Sequence, residues 1–131
     1  MGTSPDQFFS RTFFTYGHRN VVRAVGTGLA ASGSVDGYIF EVLRETEPAL
    51  VAETEIVRKS PWLGFPPIAC PASLDSAPVT ISLRKALLEM PGDPDGRAVL
   101  SMLRLDGFRE EPAALFDPIA AMMQRVGVSR G

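Results

Sequence analysis

The chain has 131 residues, of which 45% are hydrophobic and 21% charged, a composition typical of a globular domain with its own core. Its net charge of −2 argues against nucleic acid or an anionic membrane as the main partner, although a small anion can still bind at a local site. A single cysteine, Cys70, excludes an intrachain disulfide bond.

Helical patterns predict six of the elements in the chain. The first helix, over 4–10, starts with Ser4 as a cap, Pro5 at the first helical position and Gln7 completing a capping box. A later helix begins at Asp93-Pro94, which combines a cap with a proline that suits the first turn. Hydrophobic residues at helical spacing, ended by breakers, predict helices over 19–30, 37–44, 78–90, 94–103 and 118–126.

Strand-like patterns alternate with these helices. Runs rich in β-branched or aromatic residues predict strands over 12–15 and 50–59. A very short strand is predicted over 34–36, and 68–71 is a candidate buried strand. Residues 60–67 contain three prolines and a glycine and are predicted to form a loop. Because strands and helices alternate, the pattern favours an α/β domain.

The turn Thr15-Tyr16-Gly17-His18, between a predicted strand and a predicted helix, is the strongest candidate for a binding site. The first N–H groups of a helix lack partners within the helix and attract anions. Gly17 permits close approach of the backbone, Thr15 and Tyr16 offer hydroxyls, and His18 offers an imidazole donor. The sequence therefore predicts a small-anion site at this turn.

Asp36 ends the second predicted strand and is expected to converge with this turn, because ligands of open α/β sheets bind at the carboxyl ends of strands. Two structural alternatives remain open. Asp36 is equally suited to cap the helix that starts at Gly37, and His18 to cap or pack against its own helix. Arg19, Asn20 and Arg23 are expected to face solvent.

The frame T-Y-G-H-R-N-V-V-R-A-V-G-T-G-L-A-A-S-G-S-V-D-G-Y, within 13–40, resembles the second lobe of the phosphate/phosphite/phosphonate substrate-binding proteins of ABC transporters. The resemblance continues through 50–59, Pro66-Pro67, 83–90, the start Asp93-Pro94-Asp95-Gly96-Arg97 and Leu105-Asp106-Gly107-Phe108. It implies a partial periplasmic-binding-protein type II fold. Residues 1–60 would correspond to the second lobe, and 61–131 to the segment that returns to the first lobe.

The resemblance implies a binding function for a phosphate- or phosphonate-class oxyanion. The ligand residues carried over from the family are His18 and Asp36, which join Thr15, Tyr16 and Gly17 from the turn. The family turn has Gly-Ser before the histidine, whereas this chain has Tyr16-Gly17. The resemblance also implies a periplasmic location and an ABC permease as partner. The N-terminus shows no signal-peptide pattern, so we expect a cytoplasmic location if the chain is complete as written.

Other functions are weighed against this interpretation. Cys70 paired with His18 would indicate an enzyme, but Cys70 lies in an apolar segment and is expected to be a buried structural residue. No His, Cys and acidic cluster has metal-ligand spacing, and no cofactor is predicted. A truncated half-receptor that acts as an interaction protein is a third possibility.

An association of chains is also expected. Residues 68–70 and the helix that carries Leu83, Leu87 and Leu88 would leave apolar surface without its usual cover. Such surfaces are normally buried by association. We therefore expect a homodimer or a domain-swapped pair with its hinge near 50–62. The alternative is that the last predicted helix folds back over this surface.

Overall fold

The structure is a computed structural model that describes residues 5–125, with side chains from residue 7. The chain divides into two compact units, Met1–Lys59 and Ser60–Gly131. The helices of the first unit are α1 Pro5–Phe8, α2 His18–Gly26, α3 Gly37–Thr46 and α4 Pro48–Val51. The helices of the second unit are α5 Pro78–Glu89, α6 Pro94–Leu103 and α7 Asp117–Arg125. Short 3₁₀ turns occupy Ala72–Leu74, Met90–Gly92 and Ala113–Phe116.

The expected α/β class is not found, because no strand occurs within residues 5–125. The segments 12–15, 34–36 and 68–71 have no regular structure, and the predicted strand 50–59 begins in α4 and continues as a turn and coil. A strand exists only where its N–H and C=O groups pair with a neighbour. β-branched and aromatic composition therefore favours an extended segment but does not supply the partner strand.

Helix starts follow local signals in the sequence. Asp36 caps α3 by accepting a hydrogen bond from the Ile39 N–H at 3.1 Å, and Asp93 caps α6 in the same way through the Gly96 N–H at 2.6 Å. Satisfying these N–H groups stabilises each first turn. The predicted starts at Gly37 and Pro94 are confirmed, and so is the start at Pro78, where a proline in the first turn replaces a side-chain cap.

Helix ends follow the predictions less closely. The helix predicted over 19–30 ends at Gly26, where Gly28 adopts a φ of 74° and the Ala30 N–H bonds back to the Ala24 carbonyl. A glycine in the left-handed region ends a helix without steric cost. Ser4, the expected cap of α1, and residue 126, the expected end of α7, lie outside the described residues.

A small apolar core holds the first unit together. Val22 of α2, Leu43 of α3 and Val51 of α4 are buried against one another. Partly buried residues that pack around them are Val35, Ile39, Phe40 and Leu50. This core sets the position of the N-terminus of α2 relative to the start of α3.

Close backbone packing organises the second unit. Gly96 lies in the first turn of α6 against the 3₁₀ turn Met90–Gly92, and a Cβ atom there would lie 2.8 Å from the Met90 Cα and closer still to its carbonyl oxygen. Leu100, one turn further along α6, is buried. Arg84 of α5 pairs with Asp75 at 2.6 Å and with Glu110 at 3.4 Å, and the Asp75 hydrogen bond raises the Arg84 pKa.

Cys70 is exposed, which corrects the prediction that it is buried. The prolines at 61, 66, 67 and 71 lack N–H groups, so the surrounding segment is poorly suited to a buried strand. Within residues 5–125, no helix is long and apolar enough to cross a membrane.

Candidate anion-binding site

The N-terminus of α2 is built from a turn that bonds to itself. Thr15 donates its hydroxyl to the Gly17 carbonyl at 3.2 Å, and the Asn20 amide donates to the Thr15 carbonyl at 3.0 Å. The Gly17 carbonyl also accepts from the Asn20 and Val21 N–H groups, at 3.0 and 3.1 Å. The expected Thr15 hydroxyl donor is thus directed to the turn rather than outward.

Tyr16 occupies an unusual backbone conformation at this turn. Its φ of 56° lies in the left-handed region, which costs about 1 kcal/mol or more for a residue with a side chain. The side chain is 96% exposed and its ring lies 6.3 Å from that of Phe14. The Tyr16 hydroxyl is therefore available, on a side chain that the surrounding residues do not bury.

Gly17 caps α2 without a side chain, with φ 179° and ψ 140°. Because Asn20 and Val21 bond to the Gly17 carbonyl, the N–H groups of His18 and Arg19 are the ones left at the helix end for an external acceptor. The α3 terminus differs, since the Asp36 carboxylate already caps it. Of these two helix ends, α2 is the one suited to an anion.

His18 and Asp36, 18 residues apart, are brought together by a hydrogen bond. The Asp36 backbone N–H donates to His18 Nδ1 at 3.2 Å. An imidazole nitrogen that accepts a hydrogen bond carries no proton, so this contact assigns the proton of neutral His18 to Nε2. The His18 Nε2–H is then a donor beside the N–H groups of α2.

Asp36 both caps α3 and belongs to the candidate site, and it uses different atoms for the two roles. Oδ1 caps α3, and the backbone N–H orients the His18 ring. The carboxylate is half-buried and remains next to the turn. It can accept hydrogen bonds from an amino-bearing or protonated ligand, but it would repel a fully charged anion.

An ion pair missed by the sequence analysis lies beside the site. Arg19 Nε lies 2.9 Å from both carboxylate oxygens of Glu47, and its Nη2 lies 2.5 Å from Oε2. This hydrogen bonding raises the Arg19 pKa and lowers the Glu47 pKa. Arg19 and Asn20 are exposed, as predicted, and both side chains also make contacts here. Their partners are not visible in the helical periodicity.

Further candidate residues lie in the second unit. Cys70 belongs to the unit Ser60–Gly131, whereas His18 belongs to Met1–Lys59. No group of three His, Cys, Asp or Glu side chains in the described part of the chain is arranged to hold a metal ion. An open concavity of about 530 Å³ lies in the second unit, lined by residues that include Arg97 and Arg104. These guanidinium groups bond to the Pro91 and Ser101 carbonyls.

Comparison with known families identifies the class of protein. Residues 1–114 match the family described as "ABC transporter, phosphonate, periplasmic substrate-binding protein". The chain therefore belongs to this family of transporter binding proteins, which implies a periplasmic-binding-protein fold and a small-molecule ligand. Comparison with curated proteins gives no significant match.

Proposed function

We propose that this chain binds a small oxyanion of the phosphate or phosphonate class at the N-terminus of α2. The carrying observation is the 3.2 Å hydrogen bond from the Asp36 N–H to His18 Nδ1, because it orients Nε2–H as a donor beside an uncapped helix end. Gly17 keeps the approach open, Tyr16 adds a hydroxyl, and Thr15 shapes the turn. Family membership supports this ligand class.

The role that follows is that of a receptor rather than an enzyme. The ligand would be captured in the periplasm and passed to an ABC permease, and His18 would donate a hydrogen bond without transferring a proton. Donors at a helix end and an imidazole N–H can hold an anion, yet they supply neither a nucleophile nor a paired acid and base.

Calorimetric titration with phosphate, phosphite and 2-aminoethylphosphonate tests this function. We expect saturable binding of at least one anion, with no heat from chloride at the same ionic strength. The amino-bearing phosphonate should bind tighter than phosphate, since the Asp36 carboxylate attracts an ammonium group and repels a second negative charge. A folded protein that binds none of these anions would leave the interaction-protein alternative instead.

We also propose that the chain forms a homodimer or a domain-swapped pair. In the second unit, exposed apolar side chains include Val79, Ile81 and Leu83 of α5 and Ile68 of the preceding loop, at 72%, 52%, 53% and 61% exposure. Burying them against a second copy removes apolar surface from water.

Light scattering over a concentration series tests this association. The expected mass is about twice the 14.1 kDa of one chain, falling toward one chain on dilution. Replacing exposed Leu83 with glutamate should weaken the association, whereas replacing exposed Leu29 of the first unit should not. A concentration-independent mass of one chain, with no apolar surface detected by dye binding, would contradict the proposal.

A further inference from the structure

The first two residues of α2 contact the two ends of α3. His18 accepts from the N–H of Asp36, which caps the start of α3, while Arg19 pairs with Glu47, which caps its end. With ten residues, α3 is about 15 Å long, so the two contacts lie at opposite ends of it. Two contacts at opposite ends of α3 therefore add to the core of Val22, Leu43 and Val51 in restraining the direction of α2 relative to α3.

The backbone of Glu47 is itself held in place by hydrogen bonds. Its N–H donates to the Leu43 carbonyl at 2.7 Å, and its own carbonyl accepts from the Leu50 N–H at 2.9 Å. It thus joins α3 to α4 beside the buried residues Leu43 and Val51. Arg19 contacts both oxygens of the Glu47 carboxylate, which restricts rotation of the guanidinium and of the carboxylate. The first turn of α2 is therefore held in a fixed position relative to Glu47.

We propose that Arg19 and Glu47 form a positioning pair that holds the His18 imidazole on the Asp36 N–H and so presents Nε2–H at the mouth of the site. The effect of this pair on ligand affinity rests on the proposed function, whereas its effect on the orientation of the His18 imidazole is independent of that function. Both side chains are exposed, and exposed ion pairs contribute little to stability. A substitution in this pair can therefore change the position of the His18 imidazole without unfolding the protein.

Nuclear magnetic resonance on the whole chain tests this directly, because His18 is its one histidine. The variants are Arg19→Met and Glu47→Gln, each compared with wild-type protein at about pH 8. We expect the Asp36 amide to exchange about fivefold faster in each, as loss of one hydrogen bond predicts. The His18 Nδ1 resonance should shift in parallel, and affinity for inorganic phosphate should fall about fivefold.

Arg44→Met is the matched control. It removes the exposed Arg44–Glu41 pair from α3 of the same unit, and it should leave the His18 resonance and the phosphate affinity unchanged. The double replacement Arg19→Glu with Glu47→Arg should restore the wild-type resonance in part, which a loss of general packing would not do.

The possible results are distinct. An unchanged His18 resonance and Asp36 exchange rate in both variants would overturn the positioning role, whether or not phosphate binds. If wild-type protein binds no phosphate, the proposed function fails while the imidazole measurement still decides this inference. If a variant does not fold, Arg19→Lys supplies the perturbation, because lysine keeps the positive charge but cannot reproduce the two-point contact with the Glu47 carboxylate. Exchange at Asp36 that does not rise relative to Ile39 would then count against the pair.

Discussion

Replacing Leu43 with alanine is expected to lower the free energy of unfolding of the unit Met1–Lys59 by about 3 kcal/mol. Leu43 is 7% exposed and packs with Val22 and Val51 in the core of that unit. The substitution removes buried apolar area and leaves a cavity where α2, α3 and α4 meet. Phosphate binding should be lost with it, since that core holds His18 near Asp36.

Hydrogen exchange of peptides from α2, α3 and α4 measures this effect within the unit. The matched control is Leu29→Ala, because Leu29 is 72% exposed and should cost little. Equal protection in the Leu43 and Leu29 variants would show that the described core does not hold the unit together.

Replacing Gly96 with alanine is expected to destabilise the unit Ser60–Gly131 by about 2 kcal/mol. The added methyl group would overlap backbone atoms of Met90, which cannot rotate away as a side chain can. Alanine gains about 1 kcal/mol in helix propensity over glycine, so the net cost is smaller than the overlap alone. The new side chain should separate the start of α6 from the turn Met90–Gly92.

Gly92 is the matched control, because a Cβ atom there would meet no atom within 4 Å. Urea unfolding followed by circular dichroism, with hydrogen exchange of peptides from α6, compares the two variants. Gly96→Ala that is as stable as Gly92→Ala would contradict the close approach between α6 and Met90.

Local signals in the sequence predict the helix starts well. Asp36-Gly37 and Asp93-Pro94 each place a capping carboxylate before a helix, and both caps form as expected. Capping depends on residues within one turn, so it can be inferred from neighbouring positions. The predicted strands failed because a strand depends on a partner segment distant in sequence, which composition does not identify.

In the candidate site too, features that depend on neighbouring residues are predicted, and contacts between distant residues are not. The local sequence pattern predicts Thr15-Tyr16-Gly17-His18 as the turn of the site, but it does not predict the direction of the Thr15 hydroxyl. The Arg19–Glu47 pair, 28 residues apart, has no periodic signal at all. Asn20 could have been identified, because an amide close after a strained turn often bonds back to its backbone.

The most direct test of an anion site at the start of α2 is a titration of isotope-labelled wild-type protein with inorganic phosphate, observed at the imidazole of its one histidine and at its backbone amides. We expect saturable shifts of His18 Nε2–H and of the His18 and Arg19 amides, with the Asp36 amide shifting less because it remains bonded to Nδ1. Saturable shifts confined to the unit Ser60–Gly131, or none at His18 while the protein remains folded, would contradict an anion site at the start of α2.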